Sequence, residues 1–401
     1  MPGEVSRRKV LGGIAAGGVL ATVGVPERAA AEADSPCEPL PPRPVAPVNQ
    51  EIAARFGIDY KAMPEQVVGV DVEPLITINS AAEIPPKRAA LIDYVWKGAG
   101  LPAAMPSVEA GVSPPQFGTL TSVRRIDQLT VPLRYGVTAS VFHLLPARPS
   151  SRRLALYHNG HGEPLDTMLR TVQALLDRGY SVMAFAMPFF HWNMQPIADP
   201  NDPTRLVPIK SHNELAPWES AGFSTLTFFL EPIAVAVNYA VATYRPSSVQ
   251  MIGLSGGGWA TTVYPAIDPR ITRSYPTAGS FPVYLRSAPP KPGPTTGDWE
   301  QRPDLLPGFY AGANFPDLYV MAAVGQAGEP SRRQMQILNR FDACCFNGVG
   351  HRSYTPVVSH RVAVIGNGHW EVLEDATHDQ HQISPYALSV ILWDLEADPD
   401  R

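Results

Sequence analysis

From Thr121 to the end of the chain, short apolar runs that close on glycine or proline alternate with segments of helical spacing. "RLALYHNGHGEP" reads as a buried strand entering a glycine loop, and "SVMAFAMP" as a second apolar strand. Between them "LDTMLRTVQALLDRGY" has apolar residues at helical spacing and closes on Gly179. "FFLEPIAVAVNYAVATY" is a long apolar helix with Pro232 near its start, and "VQMI" is another buried strand. "SVRRIDQLTVPL" and "VTASVFHLLPA" alternate like paired strands. "ITRSYPTAG", "DLYVMAAVG" and "HWEVLEDA" read as further strands, with a helix between the second of these and Asp342. Strands that are apolar throughout need helices on both faces of their sheet. The pattern therefore predicts an α/β fold with a mostly parallel, doubly wound sheet. Ligands of such sheets bind beyond the carboxyl ends of the strands, which directs attention to the loops "HNGHGEP" and "GLSGGGW".

A chain of 401 residues, 45% hydrophobic and 17% charged, can bury a large core. The formal net charge is −5 and no Lys/Arg cluster follows residue 10, so nucleic acid is excluded as an expected partner. Proline, at 43 residues, is about twice its usual share, which predicts long, stiff loops. The stretch "CEPLPPRPVAP" favours polyproline II. Residues 34–117 are read as a proline-rich extension with a helix at "AALIDYVWKGAG", residues 118–396 as the main domain, and 281–316 as an insertion or lid. Three cysteines make no disulfide framework. The adjacent Cys344 and Cys345 are either a vicinal disulfide or two buried thiols.

The N-terminus carries Ser6-Arg7-Arg8-Lys9-Val10-Leu11, then a Gly/Ala-rich apolar run to Val25 and the small-residue site Ala31-Glu32-Ala33. It resembles a twin-arginine export signal. The resemblance implies a cleaved peptide over residues 1–33, passage through the twin-arginine export machinery, and a secreted or periplasmic mature protein. The apolar run falls short of the about 20 residues a stable membrane span needs.

Gly253-Leu254-Ser255-Gly256-Gly257 sits between a strand and a helix and matches G-x-S-x-G, the nucleophile elbow of the α/β-hydrolases. A sharp strand-to-helix turn leaves no room for side chains at Gly253 and Gly257. His158-Asn159-Gly160-His161-Gly162, after an earlier strand, is similar to the HGGG-type loop of the same fold. The resemblance implies Ser255 as nucleophile and an oxyanion hole built from the N–H of Gly256 with that of Gly160 or His161. Asn159 and His161 depart from the all-glycine pattern. The base is expected after the last strand. His381, just before Ile383-Ser384-Pro385, suits that place, with His378 the alternative and a supporting partner otherwise. His351, His360 and His369 read as surface or structural. The acid is Asp342, beside the cysteine pair, or Glu329, closest to the end of the strand read at "DLYVMAAVG"; Asp298 and Asp375 come behind them. No cofactor is implied. A zinc site at His158 and His161 would need helical i, i+4 spacing or further ligands nearby in the sequence, so no metal is expected.

The expected function is hydrolysis of a small-molecule or polymeric carboxylic ester through a Ser255-His381-Asp342 triad and an acyl-enzyme. Amide cleavage by the same triad and a catalytically silent binding protein of this fold are the alternatives. "MPFFHWNM" could line an acyl pocket or simply be core. Replacing both Arg7 and Arg8 by lysine should hold the unprocessed precursor in the cytoplasm. Immunoblotting of cell fractions checks this, and normal secretion of the double variant would remove the export reading.

Overall fold

A computed structural model describes residues 41–149, 152–288, 290 and 297–397. The segment read from the sequence as an export signal lies outside these residues. The described residues from Pro42 onward form one compact unit. Its strands are β1 (Ser107–Ala110), β2 (Val123–Pro132), β3 (Thr138–Pro146), β4 (Arg153–His158), β5 (Ser181–Phe185), β6 (Pro196–Ala198), β7 (Leu206–Pro208), β8 (Ser248–Leu254), β9 (Ile271–Thr277), β10 (Val324–Gly325), β11 (Arg332–Asn339) and β12 (Asn367–Asp375). Ten of them form one sheet in the order β1-β2-β3-β5-β4-β8-β9-β11-β12-β10, while β6 and β7 pair as a separate ribbon. The run from β5 to β12 is parallel, and the pairs at both margins are antiparallel.

The strand order fixes where a site can form. From β4 the chain turns back to β5 on one side, then crosses to β8 on the other. The gap between the ends of β4 and β8 is thus a topological switch point, where the following loops part and leave a crevice. His158 pairs in register with Gly253, so the two glycine loops leave the sheet side by side. The helices Leu165–Asp177, Thr227–Thr243 and Gly256–Ile267 follow the sequence pattern. The last is buried along its whole length, which explains its apolar, small-residue composition.

Two segments differ from the sequence reading. "DLYVMAAVG" is largely the buried helix Phe315–Ala323, and only Val324–Gly325 is strand. The apolar run Leu318–Val324 carries no period that separates helix from strand. The start signals were nevertheless present: Asn314 caps the N–H of Asp317, and Pro316 occupies the first turn. The segment read as a helix before Asp342 is instead β11. Its buried polar residues disguise it. Gln334 accepts from Trp370 and Gln336 from Tyr354, so both amides are satisfied inside the core. Val67, Ile78, Ile84, Leu91, Val95 and Phe117 lie in the same core as the sheet, and β1 extends it. Among the described residues no helix is long and apolar enough to cross a membrane.

Arg332, at the start of β11, is fully buried. Its guanidinium donates to the main-chain carbonyls of Met321, Pro265 and Ile271, joining two helices to β9. Burial depresses its pKa to about 9. Truncation would orphan several buried carbonyls at once. Arg332→Ala should cost about 3 kcal/mol or more, measured by urea unfolding. A midpoint unchanged from wild type would contradict this role.

Candidate active site

The local geometry at Ser255 follows from the glycines around it. Ser255 has φ 58° and ψ −121°, a strained conformation for a non-glycine residue. Its N–H donates to Thr277 O at 2.9 Å, and its carbonyl accepts the first helical bond, from Trp259 N at 2.8 Å. A Cβ at Gly253 would lie 2.3 Å from Gly257 O, and one at Gly257 would lie 2.0 Å from His158 O. The turn therefore requires backbone against backbone on both flanks. The same crowding joins the two loops: a Cβ at Gly160 would come within 2.8 Å of the Ser255 Cβ. Over Gly256 lie the His161 ring and the Met187 methyl, which would meet an added Cβ at 2.6 and 2.8 Å.

Asp342 follows β11 directly and is fully buried. Its Oδ2 lies 2.8 Å from His381 Nδ1. Oδ1 accepts from the N–H groups of Cys344 at 2.7 Å and Cys345 at 3.2 Å, and Asn339 Nδ2 donates to Oδ2 at 3.2 Å. Cys344 and Cys345 are joined by a disulfide, so the turn that supplies those N–H groups is covalently closed. His381 Nε2 is buried and makes no hydrogen bond among the described residues.

The loop carrying His381 is held at three points. Asn339 Nδ2 donates to Gln382 O at 2.9 Å, Arg170 to Ile383 O at 2.6 Å, and Ala343 N to Asp379 O at 3.0 Å. These contacts come from β11 and from the helix after β4, so the loop spans the carboxyl edge of the strands between. Ser384 then caps the last helix, Pro385–Glu396. His378 is engaged differently. Its Nδ1 accepts from Gln380 N, and its Nε2 lies 3.4 Å from Asp375 Oδ2, within ion-pair range but without hydrogen-bond alignment. Burial would raise the Asp375 pKa, but His378, Ser384 and Thr377 outweigh it and hold the group low. Asp375 and His378 thus brace the loop.

The other predicted residues separate clearly. Glu329 is exposed in the turn before β11, at the amino end of that strand, where its carboxylate accepts from Gln326 N. Asp298 is half-exposed, 3.8 Å from His161 Nδ1. His158 is buried, and burial lowers its pKa to about 4, leaving it neutral. His351 pairs with Glu374 at 3.0 Å, while His369 lies half-exposed on β12. A cavity of about 160 Å³ lined by Arg124, His143 and Arg153 lies at the opposite edge, near the start of β4 and β5.

Three groups carried no motif and escaped the sequence reading. Glu163, in the loop after β4, is buried under it and accepts from Tyr157 Oη, from Gly160 N at 3.4 Å and from Thr167 Oγ1. His212 and Glu300, from segments far apart in the chain, converge on His161. Burial alone would raise the Glu300 pKa, yet the facing His212 and His161 lower it below the ordinary carboxylate value. Nothing in "SHNEL" or "DWEQ" marks either residue.

No protein-family model and no curated protein matches this sequence. Solved structures do. A methylesterase aligns with TM-score 0.53 at 12% identity, over 80% of this chain and 63% of its own length. An acetyl xylan esterase from Paenibacillus sp. R4 aligns with TM-score 0.50 at 12% identity, over 85% of this chain and 98% of its own. The fold is that of the α/β-hydrolases. At such low identity the likeness extends to the hydrolase architecture and not to individual side chains.

Glu163 makes the stability of this hydrolase fold depend on pH. Burial pushes its pKa from 4.5 to about 7. The unfolded chain loses this proton near pH 4.5 while the folded chain keeps it to about 7. The group's contribution is therefore complete below 4.5 and is lost as pH rises through about 7, by up to about 3 kcal/mol. Glu163→Gln removes the titration. Relative to wild type, the variant should gain stability steadily across this range in thermal melts at stepped pH. A pH-independent difference between the two would overturn the assignment.

Proposed function

We propose that this chain is a serine hydrolase of carboxylic esters, with Ser255 as nucleophile, His381 as base and Asp342 as acid. The hydrogen bond between Asp342 and His381 Nδ1 carries the reading. It holds the imidazole in the tautomer whose Nε2 can accept a proton, and that nitrogen has no other protein partner among the described residues. The strained turn at Ser255, in a fold that hosts this chemistry, supports the same conclusion. Ser255 Oγ attacks the ester carbonyl as His381 Nε2 takes its proton. Asp342 stabilises the imidazolium without itself becoming protonated. The tetrahedral oxyanion is received by the N–H of Gly256, at a helix N-terminus, and by that of His161. We assign His161 rather than Gly160 because the Gly160 N–H is directed at Glu163. His381 then protonates the leaving alcohol, and water releases the acid by the reverse sequence.

The His161 ring and Met187 fill the space over Gly256, which suits a small acyl or alkoxy group. The structural neighbours named methylesterase and acetyl xylan esterase are consistent with that size. With the N-terminal signal, the enzyme would act outside the cytoplasm. A fluorophosphonate probe should label wild type and not Ser255→Ala. His381→Ala should lower kcat for p-nitrophenyl acetate nearly as far as Ser255→Ala, because the three groups act as a unit. Asp342→Asn should lower it by about 10⁴, and Glu329→Gln should leave it near wild type. An Asp342→Asn enzyme with full activity would sink the assignment of the acid; a labelled, active Ser255→Ala would sink the whole reading.

A further inference from the structure

Beside the proposed oxyanion hole, three side chains from three separate segments point at one another. His161 follows Gly160 in the loop after β4, His212 opens the 3-10 helix His212–Trp218, and Glu300 lies in the 3-10 turn Trp299–Gln301. The Glu300 and His212 side chains are wholly buried, and that of His161 is 19% exposed. His161 Nε2 is 2.8 Å from His212 Nδ1, His212 Nδ1 is 3.1 Å from Glu300 Oε2, and Glu300 Oε1 is 3.6 Å from His161 Nε2.

We propose that His161, His212 and Glu300 bind one divalent transition-metal ion, zinc by the chemistry of the donor set. His212 Nε2 is committed to the carbonyl of Pro188 at 2.8 Å, which only an N–H can satisfy. In the neutral ring Nδ1 therefore presents a lone pair, and it faces both a carboxylate oxygen and a second imidazole nitrogen. A divalent cation held among these donors would satisfy all three at once. Zinc bonds of about 2.0–2.2 Å to nitrogen and oxygen set neighbouring tetrahedral ligands about 3.3 Å apart. The two imidazole nitrogens lie 2.8 Å apart, and they lie 3.1 and 3.6 Å from the two different oxygens of Glu300, distances on either side of that value.

Ring orientation favours a shared centre over a simple bond between the histidines. Two imidazoles joined by a linear N–H···N bond of ordinary length have centroids about 5 Å apart. Here the centroids are 4.6 Å apart and the planes are inclined at 60°, so the rings lean together toward a common side. The surroundings match those of a metal site. A carbonyl orients the far nitrogen of His212, Gln301 Nε2 lies 3.4 Å from Glu300 Oε1, and Phe190 and Phe229 pack on the imidazoles. Two histidines and one glutamate fill three positions of a tetrahedron. The fourth opens on the side of His161, the one ligand that reaches solvent, for water or a substrate oxygen. An ion here would fix the His161 loop against the segment bearing Glu300. The sequence hid the site because its ligands are 51 and 88 residues apart.

The test uses the full mature protein and the metal alone. After incubation with zinc sulfate and removal of free ion, elemental analysis should find one zinc per chain. Cobalt should give the intense visible bands of a tetrahedral site, and zinc should raise the melting temperature. His212→Ala and Glu300→Gln, checked for folding by circular dichroism, should lose the ion, the cobalt bands and the thermal shift. If wild type holds less than about a tenth of an equivalent and zinc leaves its melting temperature unchanged, the three groups share a proton and the proposal is wrong. Equal zinc in wild type and in folded variants would also overturn it. The wild-type measurements decide the matter even if a variant fails to fold, and none of them depends on the proposed esterase activity.

Discussion

The contact on which the site depends is between two backbones. His158 O and the Cα of Gly257 approach so closely that a methyl group on that glycine would sit 2.0 Å from the oxygen. This brings the loop after β4 against the turn after β8 at the point where strand order reverses. Every other feature of the site is built on that approach. It sets Gly160 against Ser255 and drapes His161 over Gly256. It also forces Ser255 into positive φ, since the strand must become a helix with no space to spare. The strain is sustained because the surrounding helix is entirely buried and cannot relax outward.

Around this fixed centre the charged groups are arranged in layers. Asp342 and Asp375 are both fully buried carboxylates that face a histidine of the same loop, yet they have different work. Asp375 holds the loop shut through His378, Thr377 and Ser384. Asp342, gripped by two main-chain N–H groups from the disulfide-closed turn, presents its other oxygen to His381. A carboxylate with its acceptors largely occupied is rigid, and rigidity is what a residue that only orients a neighbour requires. Beneath the other loop, Glu163 performs the complementary task of tying Gly160 in place.

The parts of the fold that were legible in the sequence were those written in local pattern. The strands at "LALYH" and "VQMIGL", the helices after them and the strained glycine turn all follow from apolar continuity, helical period and backbone sterics. The failures have equally local causes. Phe315–Ala323 is apolar from Leu318 onward and gives no period, while Arg332–Asn339 is an interior strand carrying two arginines and two glutamines. That strand is stable inside the sheet because Arg332, Gln334 and Gln336 find partners that only the folded chain supplies. The preference for Asp342 over Glu329 began from composition and from the nearby cysteines. In the folded chain β11 runs toward Asp342 at the carboxyl edge of the sheet and begins near Glu329 at its amino edge.

What the sequence determined by itself is the chemistry available at each position: a serine in a turn that only glycine can flank, a second glycine loop, and histidines and acids in the final segments. Tertiary structure decided which of these meet. The sequence preferred His381 to His378 only for its place just before the last helix; in the folded chain, with the loop held by Asn339 and Arg170, His381 faces Asp342 and His378 faces Asp375. His161, His212 and Glu300 likewise had no relation along the chain. Local pattern is encoded by neighbours in sequence, whereas a side chain's partner is set by how strands are ordered and where their loops cross. That ordering is a property of the whole sheet.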